Sequence, residues 1–347
     1  MSLEPISREA GPIPHKRRKR YSGKHPHRFE DKYKEHGKDA ETIQKVIASG
    51  KTPAGTHRPI MVAEILAALA PQPGEIAVDC TLGYGGHAQE ILKLIQPGGK
   101  LLGLDQDPIE LPKTELRLRE FGFDADAFQV YRTNFAGLTQ VLAKQQLSGA
   151  DLILADLGVS SMQIDDPSRG FSVKLDGPLD MRMNPQRGQP VSVFLQKAKP
   201  LELAEILRDY SDEPYAATLA PLLAGKSLAT TQELANAIRL ALPRLSRDDI
   251  DQTIRRVFQA LRIAVNDEYS ALDTLLRQLP ACLNPNGRAA LLTFHSGEDR
   301  RVKKAFASGL ATGSYTKISE NVIRPTPQEM RSNPRSSPAK LRWARRG

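Results

Sequence analysis

Along the chain, apolar positions begin to recur in a regular way near residue 60. Val62 to Leu69 carries apolar residues at helical spacing and stops at Pro71-Gln72-Pro73-Gly74, after which Glu75 to Cys80 is a short, nearly unbroken apolar run. The pattern predicts a helix, a turn and a buried strand. It continues with a helix over His87 to Leu94, a second strand over Lys100 to Leu104 capped by Asp105, a third over Phe128 to Tyr131, a fourth over Asp151 to Ala155 and a fifth over Arg288 to Phe294. Short apolar strands alternating with helices predict an α/β fold whose parallel sheet is covered on both faces.

One connection does not fit a plain alternation. Between Asp156 and a long helix predicted over Asp251 to Leu279 lie roughly 95 residues, where such connections take ~2 to 6. A segment of that length must form a lobe of its own. Leu201 to Tyr210 has helical spacing, and Thr230-x-x-Glu233 ahead of Leu234, Ile238 and Leu242 has the form of a capping box. The expected organisation is a core over 57–164 and 252–347, a helical insertion over 165–251 hung from the carboxyl edge of the sheet, and a separate extension over 1–55.

Composition sharpens this picture. With 40% hydrophobic and 26% charged residues the chain can bury a core and is not globally disordered. Two cysteines, Cys80 and Cys282, cannot make a disulfide framework, and no closely spaced Cys/His set suits zinc, so a reducing cytoplasm and no metal are expected. The longest apolar stretch, Ile60 to Ala70, is broken by Glu64 and far too short to cross a bilayer, and no apolar signal core follows the start of the chain. The net charge of +9 is uneven: residues 1 to 50 hold 12 Lys/Arg against 7 Asp/Glu, and residues 324 to 347 hold 7 against 1. Basic ends, including Lys16-Arg17-Arg18-Lys19-Arg20, suit a phosphate-rich partner, while the plain alternative for the N-terminal run is a solubilising tail. The extension, with four of the seven histidines and almost no apolar periodicity, reads as disordered when free.

The chemistry concentrates after the first strand. Val78-Asp79-Cys80-Thr81-Leu82-Gly83-Tyr84-Gly85-Gly86-His87 follows a strand and opens a helix, and Asp105 stands at the end of the next strand. Glycines there let a backbone approach a ligand, and an acid at that spacing accepts hydrogen bonds from ribose hydroxyls, so a nucleoside-containing cofactor is implied. A second mononucleotide-binding half is missing, because the fourth strand runs into Asp156-Leu157-Gly158-Val159-Ser160-Ser161 and then the helical lobe. S-adenosylmethionine therefore suits the loop better than a dinucleotide. Gly225-Lys226-Ser227 and Gly50-Lys51-Thr52 imitate the end of a triphosphate-binding loop but lack its earlier glycine and the preceding strand.

These segments resemble the bacterial ribosomal RNA small-subunit methyltransferase H (MraW) family. The resemblance rests on His57-x-Pro59, Asp79-x-Thr-x-Gly-x-Gly-Gly-His87, Asp105-x-Asp107-Pro108, Asn134-Phe135, Asp156 to Ser161 with Gln163, Arg169 to Ser172, Gly177 to Met183, Ala260 to Asn266, Phe294-His-Ser296 with Glu298-Asp299-Arg300, and Asn333-Pro-Arg335 with Lys340 to Arg342, in order from residue 57 onward. It implies a class I (Rossmann-like) methyltransferase core with an inserted helical substrate-recognition domain. It further implies S-adenosylmethionine as cofactor, contacts to it from Gly85, Gly86, His87, Asp105, Phe135, Asp156 and Gln163, and methylation of N4 of a cytosine in 16S rRNA near the decoding centre. Asp156, at the end of the fourth strand, is expected to be the catalytic residue that helps orient the target amine.

Departures from the family pattern are Leu82 and Tyr84 in place of Phe and Arg, Met162 in place of Pro, Gly297 in place of Leu, and a first 55 residues without a recognised counterpart. Several residues keep two readings. His87 is a cofactor ligand or an ordinary helix-terminal residue, and His295 a general base or a structural hydrogen-bonding group. Asp180 and Arg182 are functional or a salt-bridged loop, and Tyr84 is a surface residue or a stacking platform. The rivals at the level of function are a methyltransferase acting on DNA or protein and a non-catalytic RNA-binding assembly factor.

Overall fold

The computed structural model describes residues 59–347. The basic extension, Lys16 to Arg20 within it, and His57 lie outside the described residues. Seven strands, β1 Ile76–Asp79, β2 Lys100–Asp105, β3 Phe128–Arg132, β4 Ala150–Asp156, β5 Leu283–Thr293, β6 Tyr315–Ile318 and β7 Lys340–Arg346, form one sheet in the order β3-β2-β1-β4-β5-β7-β6. The first five pair in parallel, and β7 runs antiparallel to both β5 and β6. The strand order reverses between β1 and β4, which opens a crevice at the carboxyl edge of the sheet. This is a doubly wound, Rossmann-like core.

Residues alternate between the two faces as a strand requires. From β4, Ile153 and Ala155 join one buried cluster and Leu152 and Leu154 the other, and in β5 Ala289 and Leu291 oppose Ala290 and Leu292. One face is covered by α1 Val62–Leu69, α2 Gly86–Ile95 and α3 Leu111–Glu120. The other is covered by α4 Leu138–Lys144 and two later helices. The short α5 Ser161–Asp165 follows β4, its N-terminus closed by a capping box between Ser160 and Gln163.

After α5 the chain leaves the sheet. Helices α6 Val191–Lys197, α7 Pro200–Ser211, α8 Ala216–Leu223, α9 Thr231–Ala241 and α10 Arg247–Asn266 enclose a third cluster built on Leu203, Leu207, Leu219, Leu234, Ile238, Ile254, Val257 and Leu261. Thr230 does cap α9, accepting the Glu233 N–H, while the Glu233 carboxylate reaches past it to the N–H of Ala229. α10 buries most of its apolar side chains in this third cluster and then delivers the chain back to the core.

The single helix expected over Asp251 to Leu279 is two. α10 ends at Asn266, Asp267 takes a left-handed conformation at φ 52°, and α11 Glu268–Cys282 starts in a new direction. Arg262 and Glu268 are joined across the break by two hydrogen bonds of 2.8 and 2.9 Å. α12 Ser296–Ala311 covers the same face as α4 and α11, and α13 Pro327–Ser332 precedes β7. Cys80 and Cys282 are buried and free. No helix among the described residues is long and apolar enough to cross a membrane.

Candidate active site

A cavity of about 630 Å³ opens at the carboxyl edge of the sheet where the strand order reverses. Gly85, Gly86, His87, Asp105, Phe135, Asp156 and Gln163 all line it. Seven residues spread over almost 80 positions of sequence are brought together because each lies at or just beyond the carboxyl end of β1, β2, β3 or β4.

The glycine loop is shaped as much by its supports as by any ligand. Gly85 has φ 82°, and a Cβ there would meet the Thr114 methyl at 2.8 Å, so neither the conformation nor the space admits another residue. A Cβ on Gly86 would lie 2.9 Å from Pro59. Two glycines expected to make room for a cofactor are thus held by packing against α3 and the segment before α1. They offer backbone to the cavity.

Acids gather beneath this loop. Asp105 accepts the Gly83 N–H at 2.8 Å on one oxygen and the Asp107 N–H at 2.9 Å on the other. Burial nevertheless raises its pKa from 3.8 to about 6. Asp79 is fully buried at the end of β1, and burial raises it likewise to about 6, against the opposing pull of His87. His87 is 7% exposed, and its Nε2 lies 3.4 Å from Asp156 Oδ2 but outside hydrogen-bond geometry, which leaves that buried nitrogen without a hydrogen-bond partner. A buried unpaired nitrogen is costly unless a ligand or water completes it. Asp156 is 24% exposed in its side chain, and its own N–H is fixed by Thr81 Oγ1 at 2.6 Å.

Phe135 stands at the start of a single 3₁₀ turn after β3, capped by Asn134. Gln163 is differently placed from the rest, since both ends of its carboxamide are already engaged: Oε1 accepts the Ser160 N–H at 3.0 Å and Nε2 donates to Asp107 Oδ2 at 2.8 Å. One N–H and one lone pair remain for a ligand.

The ambiguous residues resolve by their partners. His295 caps α12, its Nδ1 accepting the Glu298 N–H, while its buried Nε2 lies 3.1 Å from the Glu298 carboxylate outside hydrogen-bond geometry. This is the structural reading. Asp180 and Arg182 form a two-bonded ion pair at 2.7 and 2.8 Å within their loop. Tyr84 lines the cavity with one ring face covered by the Arg117 guanidinium, 3.5 Å from the ring centroid.

Other lining residues were given no role at the site from sequence. Met183, Arg255, Arg262, Asn266, Glu268, Tyr269, Glu298 and Arg335 line the cavity as well. Asn266 clamps the 177–183 loop, accepting the Met183 N–H and donating to the Met181 carbonyl, both at 2.7 Å. Arg169, 7% exposed, pairs with the fully buried Asp107 at 2.9 Å and donates to the carbonyls of Arg182 and Met183. A chain of bonds therefore runs from the Asp105 carboxylate through Asp107 and Arg169 to the Arg182 and Met183 carbonyls. Met183, Arg262, Asn266, Glu298 and Arg335 fall within segments that carried the family resemblance, and that was the available signal. Among the described residues no group of three or more His, Cys, Asp or Glu side chains could hold a metal ion.

Comparison with known proteins gives a consistent result. The family model described as MraW methylase family matches residues 54–347. "Ribosomal RNA small subunit methyltransferase H 1" of Lachnoclostridium phytofermentans is 46% identical over 95% of this chain and 93% of its own length. The protein of the same name from Agathobacter rectalis is 46% identical over 95% of this chain and 97% of its own. "Ribosomal RNA small subunit methyltransferase H" of Heliobacterium modesticaldum is 40% identical over 83% of this chain. Coverage of 95% cannot be reached without matching residues inside the first 55, so the extension does have counterparts in some relatives, contrary to expectation.

Proposed function

Because the chain belongs to the MraW methylase family, we propose that it methylates the exocyclic N4 amine of a cytosine in 16S ribosomal RNA near the decoding centre. It is an S-adenosylmethionine-dependent methyltransferase; its partner in this reading is the ribosomal RNA or the small subunit, met in the cytoplasm. One observation carries the reading: a single cavity is lined both by the glycine loop and strand-end acids and by residues at the root of the helical lobe, arginines among them. Arg255 is exposed at that wall, and Arg335 reaches it while paired with Asp165. Such guanidinium groups suit an RNA backbone.

The residues present fit S-adenosylmethionine. Asp105, whose burial leaves it short of stabilisation as a carboxylate, suits two ribose hydroxyls; Phe135 suits an adenine face; the backbone of Gly85 and Gly86 suits the methionine end. His87 Nε2 is an orphaned buried polar atom that a ligand group or water would complete. Asp79, Asp105 and Asp156 together favour a cationic ligand. When bound, the cofactor supplies an electrophilic methyl group on a sulfonium.

The protein's own part is placement and proton handling. A cytosine amine is a weak nucleophile because its lone pair is delocalised into the ring, so its orientation must be fixed. The base leaves its stack to enter the cavity. Asp156, at the mouth between β4 and α5, accepts a hydrogen bond from the amine through a carboxylate oxygen, and the Gly158 to Ser161 turn shapes the slot. In this reading the core over 57–164 and 252–347 binds the cofactor and the 165–251 insertion recognises the RNA, with α10 shared between them. Transfer of tritiated methyl groups to isolated small subunits, naked 16S rRNA and duplex DNA tests the reading. Label in rRNA or subunits is expected, and label in DNA alone or in none of the three would contradict it.

A further inference from the structure

The break between α10 and α11 places Tyr269 in an unusual position. It lines the cavity, and its hydroxyl donates to the Tyr210 carbonyl at 3.1 Å, in the last turn of α7. That carbonyl also accepts from Gln259 Nε2 at 3.1 Å. It is one of the helix-end carbonyls that have no partner within the helix. The next turn is pinned as well: Asp212, which ends α7 at φ 52°, accepts from Ser296 Oγ at 2.9 Å and from Arg300 at 3.1 Å. Residues of α10, α11 and α12 thus converge on the end of one lobe helix.

Gly297 shows what this arrangement demands. A Cβ on Gly297 would stand 1.8 Å from the Tyr269 hydroxyl oxygen and 2.8 Å from its Cζ. Gly297 lies in the first turn of α12 with no left-handed backbone to require glycine. The tyrosine is the side chain that needs the room. Arg301, 4.1 Å from the ring centroid, and the Tyr210 ring, edge-on at 5.0 Å, complete the seat. None of these partners belongs to the seven residues assigned to the cofactor.

We propose that Tyr269, admitted by Gly297, is a positioning residue that fixes the helical lobe over the acceptor end of the cavity. The proposal rests on the rRNA reading above. It governs how the RNA seats and leaves cofactor binding unchanged.

The test uses full-length wild type, Gly297→Ala, Tyr269→Leu and the double variant, with S-adenosylhomocysteine affinity by calorimetry, kcat and KM on small subunits, and melting temperature. Gly297→Ala is expected to raise the acceptor KM by about tenfold with cofactor-site affinity within about threefold, and to have almost no further effect in the Tyr269→Leu background, where the colliding group is gone. Equal effects in both backgrounds, or none in the wild-type background, would overturn the proposal. Tyr269→Phe, which keeps the ring, is expected to raise KM by roughly threefold to tenfold, the worth of one hydrogen bond. A fall in kcat at constant KM would overturn the positioning role. Should wild type methylate no subunit, the rRNA reading fails, and the same cycle read in melting temperature still decides the contact: Gly297→Ala lowers it only where Tyr269 is present.

Discussion

At the residue scale the account turns on three aspartates. Asp105→Ala is expected to weaken S-adenosylmethionine binding by about 1.5 to 3 kcal/mol, the scale of hydrogen bonds to a charged group, and calorimetry showing unchanged affinity would remove the ribose assignment. Asp79 and Asp105 both titrate near 6 in the folded protein against 3.8 ordinarily, with burial as the largest cause. An acid with a raised folded-state pKa binds its proton more tightly when folded, so its contribution favours the fold at low pH and is lost as pH rises through about 6. Relative to wild type, Asp79→Asn should therefore gain stability as pH is raised from roughly 4 to 7, measured as the difference between the two melting curves. A constant difference would mean that Asp79 titrates normally. For Asp156→Asn, methyl transfer is expected to fall by ~10²-fold or more while cofactor affinity changes less. A variant of near wild-type rate would leave the hydrogen-bond-accepting role to backbone carbonyls, since His295 is not among the residues that line the cavity.

At the scale of elements, the lobe is tied to the cofactor loop by Asp107 and Arg169, both nearly inaccessible to solvent. Arg169→Met would strand a buried carboxylate and is expected to cost about 3 to 5 kcal/mol of stability, read from denaturant unfolding. A loss below ~1 kcal/mol would mean that water reaches Asp107. The elements that carry the cofactor site were legible in sequence because their signals are local: a short apolar strand, glycines, then an acid one strand later. β6 and β7 were not. Only Tyr315 is buried in β6, and in β7 the alternation is masked by Arg342, which is buried on Asp299. Such strands form through pairing, β7 on β5 and β6 on β7, which no local pattern records. The break at Asp267 escaped because the helical periodicity runs on through it and nothing in the apolar pattern marks the Arg262 to Glu268 pair that spans the turn. Gly297 stood out in sequence only as a departure; its reason is Tyr269, 28 positions earlier.

At the scale of the molecule, positive charge lies at the two ends of the chain, and the cavity lies at the edge of the sheet where the lobe is attached. If the first 50 residues touch phosphates, deleting them should flatten the salt dependence of RNA binding by ~0.7 to 0.9 log units per lost contact. Identical slopes would favour the solubilising tail. The central claim is that one cavity brings a methyl donor to a flipped cytosine of the small-subunit RNA. Its most direct test is nucleoside mass spectrometry of 16S rRNA from small subunits incubated with the protein and S-adenosylmethionine, beside the Asp156→Asn variant. A methyl group on cytidine N4 at a single decoding-centre site, strongly reduced with the variant, is the predicted result; methylation of another base, of the ribose or of the cytosine ring carbon would contradict it.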